Sequence, residues 1–156
     1  MGLIRFLLLG FFLSGISLQG LEFVFVPDHE PAVHTLFSKE EVIDYHNASI
    51  WNKIKYLLNQ SGHSVRVASF KEIPLSSITK NTRLVLWNLP DQSQESKFKK
   101  IKSKNLILLV FEPPSVLPKL HKSTYLNHFS KVLTWEDDRI DRLKFFKYHH
   151  PVCYPM

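Results

Sequence analysis

The sequence predicts an α/β domain, Rossmann-like, with a mainly parallel sheet and helices on both faces. Three observations carry this. Short runs rich in β-branched, leucine and aromatic residues recur along the chain, and polar or helix-periodic stretches separate them. Strands alternating with helical stretches make β-α-β units, whose sheet is parallel and covered on both sides. The most apolar run, within residues 105–114 (NLILLVFEPP), ends abruptly in Glu112 and is stopped by Pro113 and Pro114. Ligands of open α/β sheets gather beyond the carboxyl ends of strands, so a carboxylate at that position, followed by a stiff loop, is a candidate functional group.

The elements follow in order. Residues 21–26 (LEFVFV) form a buried first strand closed by Pro27. Residues 27–46 form a loop broken by Pro31, with a helical turn possible at 39–45. From 49 to 60, Ile50, Trp51, Ile54, Leu57 and Leu58 fall on one helix face, with Asn47 or Ser49 to cap its start and Gly62 to end it. A second strand spans 64–70, with Val65 and Val67 on one side, and a connection around Pro74 follows. Residues 83–89 (RLVLWNL) are a third strand, stopped by Pro90. A polar helix over 94–103 has little to bury beyond Phe98 and Ile101. After the 105–112 strand come a proline-rich loop to Pro118, a short helix over 123–129 and a final strand over 131–135.

With 156 residues, 44% of them hydrophobic, the chain suffices for one core and is short for two. Twelve Phe, five Tyr and three Trp exclude a disordered chain. The net charge of +6 favours acidic or phosphorylated partners or an anionic surface. Lys97, Lys99, Lys100, Lys102 and Lys104 read as a solvated helix face. No nucleic-acid partner is expected, because zinc-finger spacing and an aromatic-plus-basic RNA motif are both missing. Arg5 followed by the apolar run 6–13, with small residues at Gly15, Ser17 and Gly20, outlines a signal peptide or signal anchor over residues 1–20. Membrane association would then run through residues 3–19, and the protein would be exported or membrane-anchored, in a periplasm or a Golgi-type lumen. The lone Cys153 has no partner for an internal disulfide.

No metal is expected. His149 and His150 are adjacent, and no His-Glu-x-x-His or paired Cys/His cluster occurs. Glu136-Asp137-Asp138 reads as a solvated turn or helix start rather than a cation site. Five glycines, none in a phosphate-binding pattern, argue against a dinucleotide-binding or nucleotide-hydrolysing role and against any resident cofactor. Trp87 and Asn88 end the third strand and open onto the same sheet edge as Glu112. An indole can stack on a sugar ring and an amide can read its hydroxyls, although Trp87 is as readily a core residue.

The stretch Leu109-Val110-Phe111-Glu112-Pro113-Pro114, then Tyr125, then Phe129 through Trp135 (FSKVLTW), Asp137-Asp138 and Lys144 through Tyr148 (KFFKY) before Pro151 resembles the family 10 glycosyltransferases, the α1,3/α1,4-fucosyltransferases. The resemblance covers residues 107–151, with 83–89 a weaker extension. It implies a two-domain GT-B fold that moves fucose from GDP-fucose to an acceptor glycan with inversion. Residues 21–156 would be the N-terminal, acceptor-side half, with Glu112 as base and Trp87, Asn88, Pro113 and Tyr125 as acceptor contacts. The donor-binding C-terminal half is absent from the sequence, so the resemblance implies a domain inactive alone or completed by a separate donor-binding polypeptide. Two other readings stand beside it: an exported carbohydrate-binding module without catalysis, and a basic membrane-associated interaction protein.

Overall fold

In the chain's first well-defined strand, β1 (Glu22–Val26), four consecutive residues from Phe23 to Val26 are buried, which requires cover on both faces of the sheet. The structure, a computed structural model, describes residues 20–28, 36–37, 47–88 and 92–148. The readings made for residues 1–19, 39–45, Pro90, His149, His150 and Cys153 lie outside the described residues.

Helix α1 (Asn47–Gln60) leads to β2 (Ser64–Val67), and β3 (Thr82–Trp87) follows. A one-turn helix α2 (Glu95–Phe98), β4 (Leu106–Leu109), a second one-turn helix α3 (Ser123–Leu126), β5 (Lys131–Thr134) and β6 (Phe145–Lys147) complete the order. All six strands are parallel, in the order β2-β1-β3-β4-β5-β6. This is the Rossmann-like α/β class that the alternation of strands and helices predicts.

Side chains alternate across the sheet into two cores. Val24, Leu84, Leu86, Leu106 and Leu108 meet Phe98, Leu126 and Phe129 on one face. Phe23, Phe25, Val85 and Ile107 meet Leu58, Trp51 and Ile54 of α1 on the other. Trp51, Ile54 and Leu58 of the stripe read from sequence therefore face the sheet. Gly62 ends α1 as its position suggests. Its φ of 79° lies in the left-handed region, and its N–H and that of His63 return to the carbonyls of Asn59 and Leu58 at 3.0 Å. The start of β3 is pinned from β4's side: Asn105, buried, donates through Nδ2 to the carbonyls of Thr79 at 2.6 Å and Thr82 at 2.7 Å.

Three expectations need correction. The helix expected over 94–103 is only the turn α2, with 3₁₀ turns at Gln92–Gln94 and Ser103–Asn105. Phe98 and Ile101 are the buried residues expected, but two anchors in a polar stretch hold little more than a turn. The five lysines do not form one solvated face. Lys97 donates to the carbonyls of Phe70 and Lys71 and lies over the Phe70 ring, and burial lowers its pKa. Finally, the strand over 131–135 is not the last. Asp141 Oδ1 accepts the N–H groups of Leu143, Lys144 and Phe145, each at 2.8 Å, and turns the chain into β6 alongside β5. Arg142 takes a φ of 59° in this turn. Among the described residues no helix is long and apolar enough to cross a membrane.

Candidate functional site

The strand order places a topological switch between β1 and β3. From β1 the chain leaves through α1 on one face to reach β2. From β2 it returns to β3 over the other face, where Ala68, Phe70, Ile73 and Ile78 pack. Connections that diverge to opposite faces leave a crevice beyond the carboxyl ends of the two strands, where ligands of such sheets bind.

Two polar residues line that crevice. Asn88 follows β3 with a φ of 64°, a left-handed conformation that asparagine tolerates better than most residues. Its Nδ2 donates to Asp28 Oδ2 at 2.6 Å, tying the ends of β1 and β3 together. Asn88 is 6% exposed, and its Oδ1 is buried without a hydrogen-bond partner among the described residues.

A row of aromatic rings runs across the same edge on the α1 face. Trp51 lies 4.8 Å from Trp87, Trp87 5.1 Å from Phe111, and Phe111 5.6 Å from Tyr148, measured between ring centroids. Phe25 joins through Trp51 at 5.9 Å. The tilted and edge-on geometries are those that aromatic quadrupoles favour. The Trp87 Nε1 donor is buried without a partner among the described residues. Burial pushes the Tyr148 phenol well above its ordinary pKa, so it keeps its proton through neutral pH.

The strand expected to run to Glu112 is paired only over β4, with the Val110 N–H still bonded to the Leu133 carbonyl at 2.9 Å, so Glu112 stands three residues past β4, directly after Phe111. It is half-buried, and no hydrogen bond or ion pair engages its carboxylate among the described residues. Its main chain, by contrast, is held. The Glu112 carbonyl receives the Nε2–H of His121 at 3.0 Å, and the Pro113 carbonyl accepts the N–H groups of Val116 at 3.0 Å and Leu117 at 3.1 Å. His121 Nδ1 pairs with Glu136 Oε1, and Arg139 Nε holds the other oxygen of that carboxylate at 2.6 Å.

Of the residues named from sequence, Trp87, Asn88, Glu112 and Pro113 therefore share the carboxyl edge. Tyr125 does not join the aromatic row. Its helix packs Leu126 into the core of the opposite face. There it lies near Lys99, whose pKa is raised by Glu95 first and by Tyr125 to a lesser degree. Glu136-Asp137-Asp138 is the turn or helix start expected, with Asp137 and Asp138 exposed, but Glu136 is half-buried and its carboxylate is in use. Glu136 is committed to His121 and Arg139, and Asp137 to Lys147, around a 3₁₀ turn at Asp137–Arg139. No group of three potential metal ligands occurs among the described residues.

Sequence reasoning missed Asp28, Tyr148 and His121, and read Trp51 only as part of the buried helix face. Asp28 had a usable signal, since it follows Pro27 at the end of a strand that reads as buried on both faces, and such strands are central. His121 had none, because its role arises from packing between distant segments. The arrangement offers a carboxylate without a partner among the described residues, one residue after a ring of the aromatic row, and a polar corner at the ends of β1 and β3. No known protein family, curated protein or solved structure matches the chain.

Proposed function

We propose that the chain is the acceptor-side domain of a fucosyltransferase-like enzyme, the N-terminal half of a GT-B pair, with Glu112 as base. The observation that carries this is the unengaged Glu112 carboxylate, three residues past the parallel strand β4 and one after Phe111 of the aromatic row. In the reaction an acceptor hydroxyl oxygen attacks the anomeric carbon of GDP-fucose. Its proton passes to Glu112 as the new C–O bond forms, while the bond from the anomeric carbon to the phosphate oxygen breaks on the opposite side. GDP leaves with the bonding electrons, and the configuration inverts. A base must lie within hydrogen-bond reach of the proton it takes, and a carboxylate without a partner in the protein can meet that demand without first breaking a contact.

The aromatic row would receive the acceptor glycan's apolar face, and the Asp28–Asn88 corner its hydroxyls. Grip on the donor falls to the other GT-B half, on this or a separate polypeptide. Residues 3–19 would deliver the domain to an exported or membrane-anchored location.

The test is a titration of the isotope-labelled chain with a LacNAc-type glycan, followed by two-dimensional NMR. Shifts at the Trp87 indole and around Glu112, at acceptor concentrations up to about 10 mM, are expected for a weak site of K_d near 1 mM. Shifts confined to other surfaces, or none, refute the assignment. Incubation with GDP-fucose and a donor-binding half then separates an enzyme from a carbohydrate-binding module: only the enzyme transfers fucose, and Glu112→Gln abolishes transfer while binding persists.

A further inference from the structure

We infer that His121 is a positioning residue for Glu112, a latch that clamps the Glu112 main chain to the turn after β5 when both ring nitrogens carry hydrogen. The inference rests on the reading of Glu112 as base and adds to it the element that aims it.

The hydrogen inventory carries the argument. His121 closes the 3₁₀ turn Pro118–His121, and its side chain is 7% exposed. Each ring nitrogen faces an acceptor. Nε2 lies 3.0 Å from the Glu112 carbonyl oxygen, which can only accept. Nδ1 faces the Glu136 carboxylate, which also only accepts while ionised. Arg139 pairs with the same carboxylate, its Nε 2.6 Å from Oε2. Arg139 Nη1 also donates to the His121 carbonyl at 3.2 Å, closing a ring of contacts around the imidazole. A neutral imidazole carries one N–H and can satisfy one acceptor of the two. Both contacts therefore need hydrogen on both nitrogens.

The charged groups facing the ring are Glu136 and Arg139, from the turn after β5, and among the described residues before Pro118 only the Glu112 carbonyl is bonded to it. Lys119 and Lys122 flank it on its own segment and are exposed. The consequence is directional. With both protons the latch is complete; when one is lost as pH rises, one contact must be given up. The Glu112 carbonyl is the contact without charge on its partner, so it is the one released.

Clamping that carbonyl matters because Pro113 fixes the next φ. The main chain on both sides of the Glu112 Cα is then set, by β4 before it and by the latch after it, and the carboxylate keeps only its own side-chain rotations.

Long-range ¹H–¹⁵N spectra of the full chain read the ring nitrogens directly. Both nitrogens of His121 should carry protons in acid. On raising the pH, loss of one ring proton should coincide with about tenfold faster exchange of the Val116 and Leu117 amides, which report the turn behind Glu112. His121→Gln, which retains one N–H donor without charge, should keep the Val116 and Leu117 amides protected at every pH, whereas His121→Phe should leave them exchanging fast throughout. A His121 ring with an unprotonated Nε2 in acid, or loop exchange indifferent to the ring's titration, overturns the latch. These readouts need no sugar, so absence of glycan binding would refute the Glu112 assignment while leaving the latch standing.

Discussion

Replacing Trp87 by Phe should leave the domain's stability almost unchanged, even though Trp87 sits in the middle of the aromatic row. Its ring lies 4.8 Å from that of Trp51 and 5.1 Å from that of Phe111. Phenylalanine keeps a ring between these neighbours but is smaller by about 40 Å³; at ~24 cal/mol per Å³ the cavity costs about 1 kcal/mol, and the lost transfer of the removed atoms adds roughly 1 kcal/mol more. The indole nitrogen works in the other direction. Nε1 is buried and has no hydrogen-bond partner among the described residues, and a buried unpaired N–H costs about 1–3 kcal/mol. Phenylalanine removes that burden, so the two terms nearly cancel. The net change should stay within about 1 kcal/mol, equivalent to about 2–4 °C in Tm for a domain of this size. Trp51→Phe is the control: it loses similar volume, but its indole nitrogen is not among the buried unpartnered atoms, so it should be the more destabilising change. Urea denaturation followed by circular dichroism avoids the altered fluorescence. A loss of 3 kcal/mol or more in Trp87→Phe, at about the cost of deleting an aromatic core side chain outright, would refute the reasoning, because the indole N–H would then be contributing to stability.

Glu112→Gln should leave stability and glycan binding unchanged and lower fucosyl transfer, assayed with a donor-binding half present, by about 10²–10⁴-fold, the usual contribution of a general base. Asn105→Ala removes two hydrogen bonds to the carbonyls of Thr79 and Thr82 within the core and should cost about 2–3 kcal/mol in a denaturation experiment. Asp141 gives a pH dependence. The backbone N–H groups of Phe145, Lys144 and Leu143 hold its carboxyl below the ordinary value, so its contribution is full above the unfolded value of about 3.8 and is lost as pH falls through the lower, folded one. Amide exchange at Phe145 and Phe146 should therefore accelerate in acid, and Asp141→Ala should abolish that step.

Much of the fold was legible because burial on both faces writes itself into sequence. LILL in β4 and FVFV in β1 are uninterrupted apolar runs, as strands covered on both sides require. The α1 stripe and the Gly62 stop are equally local signals. β6 was illegible for a physical reason. A parallel neighbour normally needs a long crossover with a helix, yet β5 and β6 are joined by residues 135–144, with only a 3₁₀ turn and the Asp141 carboxylate to reverse the chain. The helix over 94–103 failed oppositely: its composition permits a helix, but too few apolar side chains extend along it to hold more than a turn against the sheet.

The candidate site divides along the same line. Glu112, Trp87 and Asn88 could be named because strand ends are visible in sequence and parallel sheets collect function there. Tyr125 could not be placed by such logic, since a helix face is chosen by packing, and packing turned its helix toward the other core. The same limit hid the latch. Glu136 looks like any acidic residue of a turn, and His121 like any histidine of a loop, until the fold sets one against the other and the Glu112 carbonyl beyond them. A base needs freedom at its carboxylate and restraint at its backbone. Sequence shows the first through the position of Glu112 at the end of an apolar strand, and half of the second through Pro113 and Pro114. The remaining restraint comes from residues 9 and 24 positions further along the chain, which only the closed sheet brings within reach.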